Sequence, residues 1–480
     1  MRIQSVIHIL GLLLFFLGLS MLLPLTYSIA CSESCWEGIF YSFIITSASG
    51  TVIYLLTKIK SEIRAKEGFA IVAFGWFLLS LFGMLPFLLT GSINTFVDAF
   101  FETASGFTTT GASILTNIEI LPKSILLWRS QIQWMGGMGI IVMSIAILPI
   151  LGVGGMQLFK AEVPGPTHDK LTPRVGQVAK ILWGVYVFLS AIEIILLKVC
   201  GMSLFDSVCH TFTCMATGGF STKNASIGAY NSIYIDGITT LFMFIAGINF
   251  TLHYRALKGK PLDYFKDKEF LFYTGILAVA TLYLTIDTFI VNYKDMGEAF
   301  QKSIFQSVSI GTTTGFATAD YSKWSQTCQL ILFTLMFFGG CSGSTGGGMK
   351  IIRVMLLIKS SIAEIKKSIH PSAIISVKMG NRSVPNDVLS KILAFFLLYI
   401  TIFAVTAVVM TFLGLDMVSA MGASVACISN IGPGLGSVGP VSNYADVHYL
   451  GKWLLSFCMI VGRLELYTVL VLFSKSFWKV

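Results

Sequence analysis

Four short glycine-centred segments recur along the 480-residue chain, reading TTTGA, ATGGF, TTTGF and NIGPG. Their glycines Gly111, Gly218, Gly315 and Gly432 lie 107, 97 and 117 residues apart, which indicates an internal repeat of about 100 residues. Glycine allows backbone conformations closed to other residues, so neighbouring carbonyl groups can turn toward a common axis. Rings of backbone carbonyls can replace the hydration shell of an ion. The pattern therefore predicts a pathway for a dehydrated monovalent cation.

The coordinating groups are predicted to be backbone carbonyls in all four segments. They belong to Thr109, Thr110 and Gly111; to Thr217 and Gly218; to Thr313, Thr314 and Gly315; and to Asn430, Ile431 and Gly432. The fourth segment lacks the threonines, so we expect only approximate fourfold symmetry. Any single segment could be an ordinary turn, since Thr and Gly are common in turns. Four copies in register favour the ion pathway.

A short segment that opens with an acidic residue precedes each of these loops. The acidic residues are Asp98, Asp206, Glu298 and Asp416. A carboxylate is favourable at a helix N-terminus, so each segment is predicted to be a half-helix whose partly negative C-terminal end faces the loop. Irregular backbone at membrane depth is tolerated only where it is buried in protein or lines a watery cavity. The four loops are therefore predicted to converge on one cation pore.

The composition is that of a polytopic membrane protein. Hydrophobic residues make up 55% of the chain and charged residues 12%, with a mean hydropathy of +0.79, whereas soluble domains carry about 25% charged residues. Ten apolar runs match the thickness of a bilayer core. They are Val6–Leu25, Ile39–Thr57, Phe69–Leu89, Ile125–Leu151, Ile181–Val199, Ile233–Tyr254, Phe270–Val291, Cys328–Ile358, Ile392–Leu413 and Tyr449–Phe473.

The net charge of +9 could suggest a nucleic-acid partner in a soluble protein. Most of the Lys and Arg residues, however, lie in short loops between the predicted spans. The positive-inside rule then places those loops and both termini in the cytoplasm, and no nucleic-acid partner is expected. The basic loops could serve as docking surfaces for a protein, although attraction to anionic lipid explains their charge equally well.

The nine cysteines form no CxxC pair and no Cys/His spacing typical of metal sites. Cys31 and Cys35 share a loop predicted to be non-cytoplasmic, where a disulfide is possible, and the sequence leaves that open. No acid–base or nucleophile constellation is present, so enzyme activity is not expected.

A glycine-rich stretch, Gly339–Gly348, interrupts the eighth predicted span. Six glycines in ten positions do not form a stable straight helix. A small-residue packing face is one reading, while a phosphate loop is excluded because Met349 breaks the required spacing to Lys350. The favoured hypothesis is an intramembrane loop below the filter that acts as a gate, in which Gly343, Gly346, Gly347 and Gly348 provide the flexibility.

Arg463 lies near the middle of the tenth predicted span. An arginine there costs at least about 2.5 to 3.5 kcal/mol, so its side chain is expected to face the interior of the bundle. Glu465 is two positions away and points elsewhere on a helix. Two hypotheses stay open: a structural ion pair, and a fixed positive charge beneath the filter that limits ion passage.

The four loops, the stretch GGCSGSTGGGMK at 339–350 and VGRLEL at 461–466 resemble the Trk/Ktr/HKT potassium-transporter superfamily, and within it the TrkH-type membrane subunit. The resemblance covers essentially the whole chain. It implies an all-α membrane fold with a two-helix leader and four repeats of span, half-helix and span around a pseudo-fourfold pore. The corresponding units would be residues 1–66 for the leader hairpin, then 67–165, 166–262, 263–370 and 371–480.

The same resemblance carries functional expectations. In this family a glycine in every repeat favours potassium, and members with serine in the first repeat tend to pass sodium. The family implies K⁺ uptake by a homodimer in the bacterial inner membrane, regulated by a cytosolic, nucleotide-binding, TrkA-like subunit. The chain itself would need no cofactor, with K⁺ as the transported ion. A sodium-selective or sodium-coupled transporter is the alternative.

Overall fold

Long apolar helices make up most of the chain in its computed structural model, which describes residues 3–58, 65–146, 171–373, 375–379 and 382–478. The N-terminal helices are α1 (Ile3–Ser20), α2 (Leu22–Ala30) and α3 (Trp36–Leu56). Helices α1 and α3 pack closely, because a Cβ atom on Gly11 or on Gly50 would overlap the backbone of the opposite helix. Small residues permit such close approach between membrane helices.

Four successive units follow this hairpin, and each contains one short buried helix. The first unit has α4 (Ala65–Gly83), α5 (Leu85–Leu89), α6 (Phe96–Phe107) and α7 (Lys123–Ala146). The second has α8 (Leu171–Val199), α9 (Leu204–Met215), the 3-10 helix Ser226–Tyr230, α10 (Ile233–Ala246), α11 (Phe250–Leu257) and α12 (Asp263–Lys266).

The third and fourth units repeat this order. The third has α13 (Lys268–Val291), α14 (Met296–Gly311), the 3-10 helix Tyr321–Lys323, α15 (Gln326–Leu335) and α16 (Ile351–Ile369). The fourth has α17 (Asn386–Phe412), α18 (Met417–Ile428), the 3-10 helix Gly436–Val438, α19 (Tyr449–Arg463), α20 (Tyr467–Leu470), the 3-10 helix Val471–Phe473 and α21 (Lys475–Trp478). Within the described residues, the strands are β1 (Lys378–Met379) and β2 (Arg382–Ser383), an antiparallel pair.

The short helices α6, α9, α14 and α18 match the predicted half-helices, and they form the centre of the molecule. Three of them have 12 residues, or about 18 Å at 1.5 Å per residue, which is too short to cross a bilayer core of about 30 Å. Helix α6 packs against α7 and against α19, while α9 packs against α7 and α14 against α10. The contact between α6 and α19 brings the first unit against the fourth and closes the arrangement into a ring.

The described residues include six helices long and apolar enough to cross a membrane, or up to eight if each bent pair counts as one span. The bent pairs are α10 with α11, at 103°, and α19 with the 467–473 segment, at 110°. The predicted sixth and tenth spans therefore each contain a sharp break, at Gly247 and after Arg463. The predicted interruption of the eighth span is confirmed: α15 ends at Leu335 and α16 begins at Ile351.

Two predictions fall partly on residues outside those described. The fourth predicted span coincides with α7 as far as residue 146, and the remainder of that span lies beyond the described part. The boundary between the first and second repeats, at 165 and 166, lies there too. Cys31 and Cys35 are described, and both are free thiols.

Candidate ion pathway

Each half-helix begins with a side-chain cap, and the predicted acidic residue is either the cap itself or lies three residues after it. The Thr95 hydroxyl accepts the Asp98 N–H at 3.2 Å, and the Ser203 hydroxyl accepts the Asp206 N–H at 3.0 Å. In the third unit Asp295 accepts the Glu298 N–H at 2.8 Å. In the fourth, the carboxylate of Asp416 is itself the cap. Such caps satisfy the free N–H groups of a helix start and fix where it begins.

All four half-helices also end in the same way. Four residues at equivalent positions adopt the left-handed conformation, and the next N–H in each loop donates to a carbonyl five residues earlier. These donors and acceptors are Thr110 to Ser105 at 2.8 Å, Gly218 to Thr213 at 2.8 Å, Thr314 to Ser309 at 2.9 Å and Ile431 to Ala426 at 2.8 Å. This is the Schellman geometry of a helix C-terminus.

The left-handed residues define the register of the four loops. They are Thr109, Thr217, Thr313 and Asn430, with φ of +53°, +52°, +62° and +56°. A β-branched residue with positive φ is uncommon and strained, and such strain clusters at functional sites. Three threonines in this strained conformation therefore indicate a functional constraint on the loops in addition to packing.

A glycine follows two positions after each left-handed residue, and it too has positive φ. These glycines are Gly111, Gly219, Gly315 and Gly432. The alignment of Gly218 with Gly111 is therefore wrong by one residue, since Gly219 is the structural equivalent. Gly218 corresponds instead to Thr110, Thr314 and Ile431. Sequence spacing could not separate the two adjacent glycines of ATGGF.

The four loops touch one another in a closed cycle at these glycines. A Cβ atom placed on each glycine would lie within 3.0 Å of a carbonyl oxygen of the neighbouring loop. Gly111 faces the oxygen of Gly218, Gly219 that of Thr314, Gly315 that of Ile431, and Gly432 that of Thr110. The loops therefore meet around one axis, and only a residue without a side chain fits at each contact.

Protein donors hold some of the loop carbonyls and leave others free. Gln133 Nε2 donates to the carbonyl of Gly218 at 2.7 Å, and the Tyr444 hydroxyl donates to that of Gly432 at 2.8 Å. Within the described residues, no donor reaches the carbonyl oxygens of the four left-handed residues, Thr109, Thr217, Thr313 and Asn430. Buried carbonyls normally have a partner. These four are therefore available to a cation, and within the described residues the same holds for the carbonyls of Thr110, Gly111, Thr314, Gly315 and Ile431.

The loop side chains are buried and linked to one another. The Thr108 and Thr110 hydroxyls lie 2.8 Å apart, and the equivalent Thr312 and Thr314 hydroxyls lie 2.7 Å apart. In the fourth loop Asn430 Nδ2 donates to Thr110 Oγ1 at 2.9 Å. The amide of Asn430 thus connects the fourth repeat to the first. This contact gives a reason for the departure from the Thr-rich pattern.

The Gly-rich stretch forms a loop directly against the C-terminal ends of the half-helices. The N–H of Gly347 donates to Thr313 Oγ1 at 2.6 Å, and the α-carbon of Gly347 packs against the carbonyl of Ser429 and against Asn430. The neck of the loop is closed where Gly339 N–H donates to the carbonyl of Met349 at 3.0 Å. The tip of the loop therefore lies against the third and fourth glycine-containing loops.

Arg463 contacts this loop from α19. Its Nη1 donates to the carbonyl of Thr345 at 2.8 Å, and the residue is 2% exposed. Its Nε and Nη2 have no hydrogen-bond partner, and within the described residues no carboxylate pairs with it. Glu465 pairs instead with Arg353. The predicted separate partners for Arg463 and Glu465 are thus confirmed, and the geometry disfavours a structural ion pair for Arg463.

Several residues that support the site escaped the sequence prediction. Gln133 on α7 bonds both to Gly218 and to the N–H of Phe220. Arg129 and Glu102 form a fully buried ion pair at 2.6 Å, and the Arg129 guanidinium lies over the Phe220 ring. The available signal was the placing of Arg129, Gln131 and Gln133 within an otherwise apolar span.

Known proteins are similar to this chain over its whole length. The model of a family described as TrkH, cation transport protein, matches residues 37–479. The Trk system potassium uptake protein TrkH of Halomonas elongata is 41% identical over all of both chains, and that of Escherichia coli K12 is 40% identical over the same extent. The crystal structure of the potassium transporter TrkH from Vibrio parahaemolyticus superposes with a TM-score of 0.93 over all of both chains, at 36% identity.

Proposed function

The chain belongs to the TrkH family of cation transport proteins, and on this premise we propose that it takes up K⁺ through a selectivity filter formed by its four glycine-containing loops. The family consists of potassium transporters, not enzymes, and its transported ion is K⁺. The observation that supports the filter is the closed cycle of contacts from Gly111 to Gly219, Gly315 and Gly432.

The chemistry of the filter follows from the geometry of the loops. Carbonyl oxygens of Thr109, Thr217, Thr313 and Asn430 would replace the water shell of the ion, as carbonyl rings do in potassium filters. The C-terminal ends of the four half-helices carry partial negative charge and point toward the same region, which favours a cation. In the second loop, coordination would extend to Gly219, one residue beyond the predicted segment.

The Gly-rich loop and Arg463 would form the gate. The loop tip lies against Thr313, Ser429 and Asn430, where it obstructs the exit from the filter. The guanidinium of Arg463 adds a positive charge with two unpartnered nitrogens next to that tip. A fixed positive charge repels a cation, so movement of the loop and hydration of Arg463 would both be needed for conduction.

The biological setting follows from family membership and charge. Because its relatives are Trk system potassium uptake proteins, the chain would work with a TrkA-like regulatory subunit. We place it in the bacterial inner membrane as a homodimer with both termini cytoplasmic, because basic residues such as Lys258, Lys260 and Lys266 concentrate in the loops of that side. Nucleotide dependence would come from the partner.

Rubidium uptake into proteoliposomes tests the ion pathway. With the purified chain reconstituted alone, ⁸⁶Rb⁺ should accumulate, and an equal concentration of external K⁺ should suppress this uptake far more than Na⁺ does. Empty liposomes provide the background. Equal suppression by Na⁺ would favour the sodium-selective alternative, and accumulation no greater than the background would contradict transport.

Shortening the Gly-rich loop tests the gate. Replacing residues 343–348 by two glycines should raise ⁸⁶Rb⁺ uptake, because the segment that packs against Thr313 and Asn430 is removed. A matched control shortens the exposed segment around Gly259, where a Cβ would meet nothing within 4 Å. Unchanged uptake by a loop variant of normal thermal stability would contradict the gate.

A further inference from the structure

A buried carboxylate holds the neck of the Gly-rich loop. Glu269 lies in the first turn of α13 and is 7% exposed. Its Oε1 accepts the N–H of Ser342 at 2.6 Å and the N–H of Ile352 at 3.1 Å. Ser342 lies near the start of the loop, and Ile352 lies just beyond its end. A single carboxylate oxygen therefore fastens both sides of the neck.

The opposite flank of the loop is fastened to the break between α10 and α11. The Cys341 N–H donates to the carbonyl of Gly247 at 2.8 Å, and the Phe250 N–H donates to the carbonyl of Gly343 at 3.1 Å. These bonds join backbone groups only, so no side-chain replacement removes them. Glu269 holds the neck through its side chain, and so does Lys350, whose Nζ donates to the carbonyl of Gly346 at 2.5 Å.

Glu269 is compensated differently from the buried charges that form ion pairs. Within the described residues, Glu102, Arg353 and Lys452 each pair with an opposite charge, whereas Glu269 has no salt-bridge partner. Its compensation comes from the two loop N–H groups. Hydrogen bonds to a charged group are stronger than neutral ones. The buried carboxylate therefore keeps its hydrogen-bond donors only while the loop stays in this position.

We propose that Glu269 is a positioning residue that anchors the Gly-rich loop beneath the filter and so sets how readily the pathway opens. This inference rests on the proposed gate. When the carboxylate is removed, the N–H groups of Ser342 and Ile352 lose their acceptor and the neck can separate from α13. The tip then leaves the base of the filter more often, while the four filter loops stay unchanged.

The test compares Glu269→Ala with Asp267→Ala in reconstituted full-length chain. Asp267 caps the same helix by accepting the Phe270 N–H at 2.8 Å, and within the described residues it makes no hydrogen bond to the loop. We expect Glu269→Ala to raise ⁸⁶Rb⁺ uptake by about tenfold, the factor that a hydrogen bond to a charged group contributes to an equilibrium. Glu269→Gln keeps an acceptor oxygen and should show a smaller rise. Asp267→Ala should match the unaltered chain, and the preference for K⁺ over Na⁺ should be the same throughout.

Labelling of Cys341 gives a readout independent of transport. This thiol is completely buried beside Ser342, so a polar maleimide should label it slowly in the unaltered chain and faster in Glu269→Ala. A Cys341→Ser version of each protein measures the labelling of the other cysteines. If Glu269→Ala cannot be purified folded, Glu269→Gln carries both measurements.

Two results would overturn this inference and leave the proposed function intact. One is normal uptake by the unaltered chain together with a Glu269 variant whose uptake and Cys341 labelling equal those of Asp267→Ala. The other is altered K⁺ preference in Glu269→Ala, which would place the carboxylate on the ion path. Absence of uptake from both the unaltered chain and the loop-shortened variant would instead overturn the proposed function, and this inference with it.

Discussion

Replacing Gly111 by alanine perturbs the filter at a defined point. Gly111 has φ of +85°, a conformation that costs a residue with a side chain about 1 to 2 kcal/mol. The new Cβ would also overlap the carbonyl oxygen of Gly218 in the next loop. That carbonyl has little freedom, because Gln133 holds it at 2.7 Å. Overpacking of this kind typically costs about 1 to 3 kcal/mol more.

The combined cost of about 2 to 5 kcal/mol must be relieved by separating the first and second loops. Their separation displaces the carbonyls of Thr109 and Thr217 from the axis. Since about 1.4 kcal/mol corresponds to a tenfold change in an equilibrium, we expect the ratio of K⁺ to Na⁺ permeability to fall by at least about tenfold. The assay is the reversal potential of the reconstituted chain in mixed K⁺ and Na⁺.

Gly91 provides the matched control. It also has positive φ, at +71°, but a Cβ there would meet nothing within 4 Å. Gly91→Ala therefore carries the backbone cost without the clash and should lower the melting temperature slightly while keeping the permeability ratio. If Gly111→Ala loses stability but keeps the same ratio as Gly91→Ala, the contact between loops does not set selectivity and the reasoning fails.

Three further variants test separate parts of the structure. Arg463→Ala should increase ⁸⁶Rb⁺ uptake severalfold, since it removes a positive charge and the bond to Thr345; reduced stability without greater uptake would favour a structural role. Arg129→Met should lower stability by about 3 to 5 kcal/mol, because Glu102 is left buried without its partner, and adding Glu102→Gln should restore part of the melting temperature. Asp416→Ala should cost about 1 kcal/mol as a lost N-cap. Hydrogen bonds from the Ser419 hydroxyl and N–H lower the pKa of Asp416 below 3.8, so its stabilising effect holds at neutral pH, and the difference in melting temperature should shrink only as the pH falls below that value.

The repeat and its half-helices were predictable because each leaves a local signal. Asp98, Asp206 and Glu298 lie in a capped first turn and Asp416 is itself the cap, and the glycine-containing loops follow at helix ends that all close in the same way. These features depend on short-range backbone and side-chain chemistry. The pattern of polar cap, short apolar helix and glycine therefore predicts them without knowledge of the neighbours.

The sequence alone does not show which glycine of the second loop is equivalent to Gly111. Gly218 and Gly219 are adjacent and chemically identical, and the choice between them depends on where α9 ends. The helix end is set by the hydrogen bond from Gly218 to Thr213 and by packing against Gln133. The hydrogen bond is local, but the packing against Gln133 is a tertiary contact, and spacing alone gave the wrong glycine.

The breaks in the sixth and tenth spans escaped prediction for a related reason. Apolar residues continue on both sides of Gly247 and Arg463, so average hydropathy shows one uninterrupted run. The turn after α10 is stabilised by two bonds with the distant Gly-rich loop: the Gly247 carbonyl accepts the Cys341 N–H, and the Phe250 N–H donates to the Gly343 carbonyl. Such long-range pairing, like the anchor at Glu269, becomes visible only in three dimensions.

The position of a bound ion tests the central claim most directly. Crystals of the full chain grown in Rb⁺ should show anomalous scattering on the axis between the carbonyl oxygens of Thr109, Thr217, Thr313 and Asn430, and K⁺ but not Na⁺ should displace it. Rubidium bound elsewhere in the bundle, with the space between the four loops closed in a chain that transports it, would contradict the account.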